Sequence, residues 1–165
     1  MVFLGLGSNL GNREENLKQA RRRLADNISD IRLSNIYETT PRYRIDQSDF
    51  FNLVLVGKTD LAPLELLNTA QSIESELGRD RSTGGWKGPR TIDIDLLLYN
   101  NLSIDLPSLV LPHPHIKERK FVLVPLLELE PNLVEPGTEK AYMDVLTRME
   151  DQGIYYQSLN RYSFF

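Results

Sequence analysis

The 165-residue chain contains no cysteine. That excludes disulfides, thiolate zinc sites and a cysteine nucleophile. Histidine is scarce too. His113 and His115 are the only two, so a zinc centre would need carboxylates to complete it. No apolar run approaches the ~20 residues of a bilayer span. The opening MVFLGLGSNLG lacks the basic start and long apolar core of a signal peptide, which makes the cytoplasm the expected location. There is no excess of positive charge: 19 Lys and Arg against 23 Asp and Glu give a net charge of −4. A nucleic-acid surface is usually basic, so that partner is not expected. Repeats and low-complexity tails are also absent. What is present is an ordinary globular balance, 41% hydrophobic and 25% charged. The length fits one domain, residues 1–165, burying roughly 70% of the surface its unfolded chain exposes.

Hydrophobic periodicity orders the chain. Val2 to Leu6 reads as a strand running into a Gly/Asn/Ser turn, GLGSNLGN (5–12). Asn12 is placed to cap a helix from Arg13 to about Asn27, with Leu17, Ala20 and Leu24 facing the core. Arg32–Tyr37 and Phe50–Lys58 read as strands. A helix follows, capped by Asp60, with Pro63 in its first turn and Leu66, Ala70, Ile73 and Leu77 as its buried stripe. Gly78 suits the C′ position. A strand bearing Asp93 and Asp95 comes next, then a short element at Leu102–Ile104, a strand at Phe121–Val124 and a helix at Ala141–Met149. This order predicts an α+β fold: a ferredoxin-like, mainly antiparallel sheet with packed helices, in a single domain. The early glycines do not make a dinucleotide fingerprint, because Leu10 occupies its third glycine position. No G-K-[ST] is present either.

Three features carry chemistry. In GPRTIDIDLLLYN, Asp93 and Asp95 sit two apart, on one face of a strand, while Ile92, Ile94 and Leu96 face the other way. Paired carboxylates repel, so that face is either solvated or supplied with a cation, for which Mg²⁺ is suited. Before them lies GRDRSTGGWKGPRT (78–91), a long glycine-rich loop with Arg79, Arg81, Lys87 and Arg90, expected to be mobile. After them comes PHPHIKERK, with His113, His115, Lys117, Arg119 and Lys120. Cations flanking metal-ready carboxylates point to phosphate chemistry; a solvated surface loop is the plainer alternative. Separately, Phe50 and Asn52 share a strand face, a way to stack and edge-bond a flat heterocycle, or else a core ring beside a strand-end amide.

Together LGSNLG, YETTP, DFFN, GPRTIDIDLLLY and LPHPHIKERKFVLVPL resemble the 6-hydroxymethyl-7,8-dihydropterin pyrophosphokinases of folate biosynthesis, collinearly up to about Pro131. The resemblance implies a ferredoxin-like fold and transfer of the diphosphate of ATP to the reduced pterin. It implies that Asp93 and Asp95 bind two Mg²⁺ ions and that Arg79 and Arg90 close on the reacting phosphates. Gln71, Glu74, Arg81, Leu96, His113, Lys117 and Arg119 would serve ATP. Thr39, Thr40, Pro41, Phe50, Asn52 and Phe121 would hold the pterin. A monomer or weak dimer, with no nucleic-acid or membrane partner, is expected. The chain departs from the family at Lys87, where a tryptophan often precedes G-P-R, and at Pro114, where a tyrosine is frequent. Three other classes compete: a non-catalytic ligand-binding domain, a metal-dependent phosphohydrolase using the same aspartates with water, and a small RNA-binding domain, which the acidic net charge and the amide beside Phe50 disfavour.

Overall fold

The computed structural model describes residues 1–41, 47–79, 88–138 and 140–157, the last four as backbone. Its centre is an antiparallel sheet built on β1 (Val2–Ser8) and β4 (Phe50–Lys58). β5 (Asp93–Tyr99) flanks β1, and β3 (Ile36–Thr39) flanks β4, giving the order β5-β1-β4-β3-β8, where β8 is Ile154–Gln157. β2 (Ser29–Leu33) pairs with the far end of β4. A separate hairpin joins β6 (Ile104–Leu106) to β7 (Leu109–Leu111).

The sheet is buried on both faces because its central strands are apolar at consecutive positions. Leu53 to Val56 in β4 are at most 2% exposed, each burial contributing roughly 1.5–3 kcal/mol. On one face, α1 (Arg13–Leu24) and α2 (Pro63–Glu76) cover Leu4, Leu6, Leu53, Leu55, Ile94 and Leu96. On the other, α3 (Lys120–Leu129) and α4 (Tyr142–Leu146) cover Phe3, Val54, Val56, Leu97 and Leu98. A ten-residue helix is about 15 Å long, whereas the nine residues of β4 span roughly 30 Å. α3 therefore covers only part of its face. The end carrying Gly7, Phe50, Asn52, Asp93 and Asp95 lies beyond the apolar residues it packs on.

The antiparallel α+β expectation holds, as do the Asn12 cap, which accepts from the Glu15 N–H at 3.1 Å, and Gly78 at φ +83°. Several local readings are corrected. Gly5 to Ser8 belong to β1 rather than to a turn. Arg32–Tyr37 is two strands, broken at Ser34–Asn35, each pairing with β4. The α2 N-cap is Ala62, not Asp60; Glu65 reaches back to accept the Ala62 N–H at 2.8 Å. Phe121–Val124 lies in a helix, not a strand. Its β-branched residues mimic a strand over four positions, but the apolar pattern continues through Leu127 around the curved face of α3. The last helix is five residues long.

Candidate active site

Register assembles the site. Asp93 pairs with Gly7, Gly7 with Asn52, and Asn52 with Tyr37. One row across the sheet thus runs carboxylate, bare backbone, amide, phenol, with Asp93 and Asn52 separated by two strand spacings, roughly 10 Å. Asp95 stands in the next row, opposite Gly5. Phe50 stands beside Asn52, opposite Thr39. The two glycines leave a side-chain-free floor between the carboxylates and the amide. A Cβ on Gly7 would meet Asn52 Oδ1 at 2.9 Å. Asn52 is held by donating from Nδ2 to Thr39 Oγ1 at 2.7 Å, and both residues are buried.

Three arginines surround the carboxylates. Arg79 donates to Asp93 Oδ1 and to Glu74. Arg90 donates to Asp93 Oδ2 at 2.8 Å, and Arg119 to Asp95 Oδ2 at 3.1 Å. The guanidinium of Arg90 also lies 5.4 Å from the Phe50 ring centroid, and that of Arg119 lies 5.9 Å from Phe121, distances at which cation–π attraction operates. The Nε groups of Arg90 and Arg119 are buried without a hydrogen-bond partner. Unsatisfied buried donors beside a cluster of cations fit an anionic ligand.

Burial, and next the charge of Asp93, push the Asp95 carboxyl up to about 6, against the pull of Arg119 and Arg90. Glu74 comes from α2 but is 1% exposed. It closes the outer edge of β5, accepting the Ile94 N–H at 2.7 Å. Gln71, one turn earlier, is exposed.

β5 carries a bulge. Phe3 pairs with Leu98 and Leu4 with Leu96, so Leu97 is the extra residue. Its carbonyl accepts the His113 N–H at 2.9 Å. Burial, then Arg119 and His115, pushes His113 down to about 4, so it is neutral at pH 7. Its Nδ1 accepts the His115 N–H at 3.2 Å, leaving Nε2–H as a donor. His113 and His115 lie in the turn that follows β7. Among the described residues no group of three or more His, Asp or Glu is arranged to hold a metal. Asp93 and Asp95 are the available hard oxygen donors, and a cation on them would complete its shell with water and phosphate oxygens, which is how Mg²⁺ is usually bound.

The other expected residues are distributed as follows. Lys117 is exposed and bonded to Glu135 at 2.6 Å. Phe121 begins α3 on the site side. Thr40 and Pro41 follow β3. Leu96 faces the α1–α2 core at 3% exposure, so its side chain is not offered to the carboxylate face. Arg81, Trp86, Lys87 and most of the basic loop lie outside the described residues.

Sequence reading missed two contributors. Gly7 is one: Gly5 and Gly7 alternate with Leu4 and Leu6, a period-two strand pattern whose other face is bare at both glycines. The other is Asn9, 3% exposed. It accepts the Arg90 N–H on Oδ1 at 2.8 Å, donates its own N–H to the Arg90 carbonyl at 3.2 Å, and donates from Nδ2 to Gln47 and Ser48. No sequence signal distinguishes it from any other polar loop residue.

The fold and site define a phosphate-handling protein, with cations gathered around two carboxylates at the open end of an antiparallel sheet. Over residues 3–131 the sequence matches the family described as 7,8-dihydro-6-hydroxymethylpterin-pyrophosphokinase, HPPK. It is 45% identical over 131 residues to the 2-amino-4-hydroxy-6-hydroxymethyldihydropteridine pyrophosphokinase of Bacillus subtilis, covering 78% of this chain and 77% of that protein. It is 39% identical to the folic acid synthesis protein fol1 of Schizosaccharomyces pombe, covering 93% of this chain but only 21% of that longer protein. The HPPK-DHPS structure of Plasmodium falciparum superposes with a TM-score of 0.70 at 17% identity, over 89% of this chain and 42% of that one, a likeness of fold. The chain belongs to the HPPK family.

Proposed function

We propose that the chain transfers the β,γ-diphosphate of ATP to the hydroxymethyl group of 6-hydroxymethyl-7,8-dihydropterin, giving the pterin diphosphate and AMP for folate biosynthesis. The observation that carries this is the row Asp93–Gly7–Asn52: a cation-ringed carboxylate and a heterocycle-binding amide on one open sheet end, with nothing between them. The pterin edge bonds to Asn52, its ring lies against Phe50 and Phe121, and Thr39, Thr40 and Pro41 frame it. The triphosphate lies toward Arg79, Arg90, Arg119 and His113, with Lys117 and Arg81 as further cations and Gln71 and Glu74 on the α2 side. Asp93 and Asp95 are the residues that would hold two Mg²⁺ ions, whose chemistry is neutralisation of phosphate charge.

The pterin hydroxyl oxygen attacks the β-phosphorus in line. The bond from that phosphorus to the oxygen bridging the α-phosphate breaks, and AMP departs with the electron pair. The hydroxyl proton passes to water. Such transfer needs positioning and charge stabilisation more than covalent chemistry. Arg79 and Arg90 supply the charge, exchanging part of their contact with Asp93 for phosphate oxygens. Asn52, fixed by Thr39, orients the acceptor. No helix among the described residues is long and apolar enough to cross a membrane; a cytoplasmic monomer or weak dimer with no nucleic-acid partner fits the composition.

Incubation with MgATP and the reduced pterin, with products identified by mass, tests the reading. AMP and pterin diphosphate are expected. Phosphate release without pterin would replace it with the phosphohydrolase; binding of both ligands without turnover would replace it with the binding domain.

A further inference from the structure

Residues 132–165 lie beyond the span matched by the HPPK family, yet one of them reaches the site. The Gln152 side chain makes two hydrogen bonds to main chain. Oε1 accepts the Lys120 N–H at 2.9 Å, and Nε2 donates to the Glu118 carbonyl at 3.1 Å. These are the peptide groups on either side of Arg119. The side-chain amide thus acts as one rung of a β-bridge, clasping Arg119 by its neighbours. Arg119 is the N-cap of α3, extended at φ −113° and ψ 98°, and no side chain of its own kind caps the helix. Lys120 N–H is one of the donors that a helix start leaves without an internal partner; Gln152 satisfies it. From this fixed backbone Arg119 spans to Asp95 Oδ2 at 3.1 Å.

The same segment grips the opposite side of the site. The Gly153 carbonyl accepts the Thr40 N–H at 3.3 Å. Gly153 sits at φ +63°, and a Cβ there would meet Thr40 Oγ1 at 2.7 Å. Ile154 then pairs with Thr39, which holds Asn52. Two consecutive residues therefore tie the Arg119 backbone to the strand end that fixes Asn52.

We infer that Gln152 is a positioning residue for Arg119, presenting its guanidinium to Asp95 and to the phosphates of the bound nucleotide. The consequence for the nucleotide rests on the diphosphate-transfer reading; the placement of Arg119 does not.

The test uses the full chain with Gln152→Ala and with Gln152→Met, which keeps the side-chain length and removes both hydrogen bonds. Two quantities are measured. One is the Arg119 Nε–H resonance of the ligand-free protein, assigned by its loss in Arg119→Lys. The other is the dissociation constant of an unreactive MgATP analogue by calorimetry. Both variants should shift the Arg119 resonance and speed its exchange with solvent, leaving the Arg79 and Arg90 resonances in place. Both should weaken the analogue about ten-fold, the low end of what losing an orienting partner costs. In an Arg119→Ala background the added loss should fall to about two-fold or less, because the effect runs through one side chain. An unmoved Arg119 resonance in Gln152→Met overturns the inference, as does an undiminished loss in the Arg119→Ala background. If the resonance moves as expected but the wild-type chain does not bind the analogue, the positioning role stands and the diphosphate-transfer reading fails.

Discussion

Replacing Gly7 by alanine places one methyl group between the carboxylates and the amide. The new Cβ would lie 2.9 Å from Asn52 Oδ1 and 3.8 Å from Phe50 Cδ1. The first contact is too short, so the Asn52 side chain must turn. It cannot do so freely, because Nδ2 is bonded to Thr39 Oγ1 at 2.7 Å and both residues are buried. Losing that bond leaves a buried polar pair unsatisfied, at about 1–3 kcal/mol. Alanine returns roughly 0.5–1 kcal/mol through its smaller backbone entropy loss in a strand. The net cost is about 1–2 kcal/mol, or roughly 3–6 °C in Tm for a chain of this size. Affinity for the reduced pterin should fall at least about ten-fold, one amide bond having been misdirected. Affinity for an ATP analogue should be nearly unchanged. Gly5→Ala is the control: on the same face two residues away, the nearest atoms to its Cβ are Leu97 carbons at 3.5–3.7 Å, an ordinary van der Waals contact. It should match wild type in both assays. Thermal melts and calorimetry on Gly7→Ala, Asn52→Ala and the double variant complete the test. The double variant should be no less stable than Asn52→Ala alone, since the clash has no partner left. A Gly7→Ala protein with wild-type pterin affinity, or a Gly7→Ala penalty that persists in full without the Asn52 amide, would refute the reasoning.

Other expectations follow from the same geometry. Asp95→Asn should reduce turnover by at least about 10³-fold, the scale of losing a main electrostatic contributor; wild-type kcat in saturating Mg²⁺ would remove Asp95 from the site. In chelator, the carboxyl raised to about 6 makes the wild-type fold bind its proton more tightly than the unfolded chain does, so its contribution to stability falls as pH rises from about 4 to about 6. Melting temperatures of wild type and Asp95→Asn should diverge across that window and run parallel above it. Glu128 accepts the Asn35 N–H and Nδ2 and the Tyr37 hydroxyl at 2.7–3.0 Å, docking α3 on the sheet. Glu128→Ala should cost about 1–2 kcal/mol by urea unfolding, one half-buried charge-assisted set being lost; a loss under about 0.5 kcal/mol, the ordinary surface range, would contradict this. His113, held near 4, should show flat ring resonances from pH 8 to about 5, and a midpoint near 6.5 would contradict its burial beside Arg119.

Much of the open end of the sheet was legible because its signals are local. Asp93 and Asp95 alternate with Ile92, Ile94 and Leu96, and period two on a strand needs no knowledge of the rest of the fold. Helices α1 and α2 were similarly visible in their leucine spacing, in the Asn12 cap of the first and in Gly78 after the second. Partners across the sheet were not. Glu74 reads as a polar residue on a helix surface, yet it is buried because the edge of β5 offers it the Ile94 N–H. Asn9 and Gln152 act through backbone groups 81 and 32–34 positions away, and nothing in their immediate neighbourhood encodes that. The α3 misreading has a different cause. Phe121 to Val124 are four apolar residues in a row, a length at which helix and buried strand share one pattern.

The bulge at Leu97 can be viewed as a parity shift in the text of β5. Upstream of it, odd positions carry the carboxylates on the open face; downstream, Leu98 takes over that face and Tyr99 turns to the opposite core. Deleting Leu97 would remove the bulge and leave Leu96, Leu98 and Tyr99 opposite Leu4, Phe3 and Val2 on their present faces; what is lost is a fully buried side chain and the carbonyl that accepts the His113 N–H. Deletion of Leu97 should therefore loosen the turn that carries His113 while Asp93 and Asp95 keep their face, so the bulge serves as an anchor for the histidine turn rather than for the carboxylates.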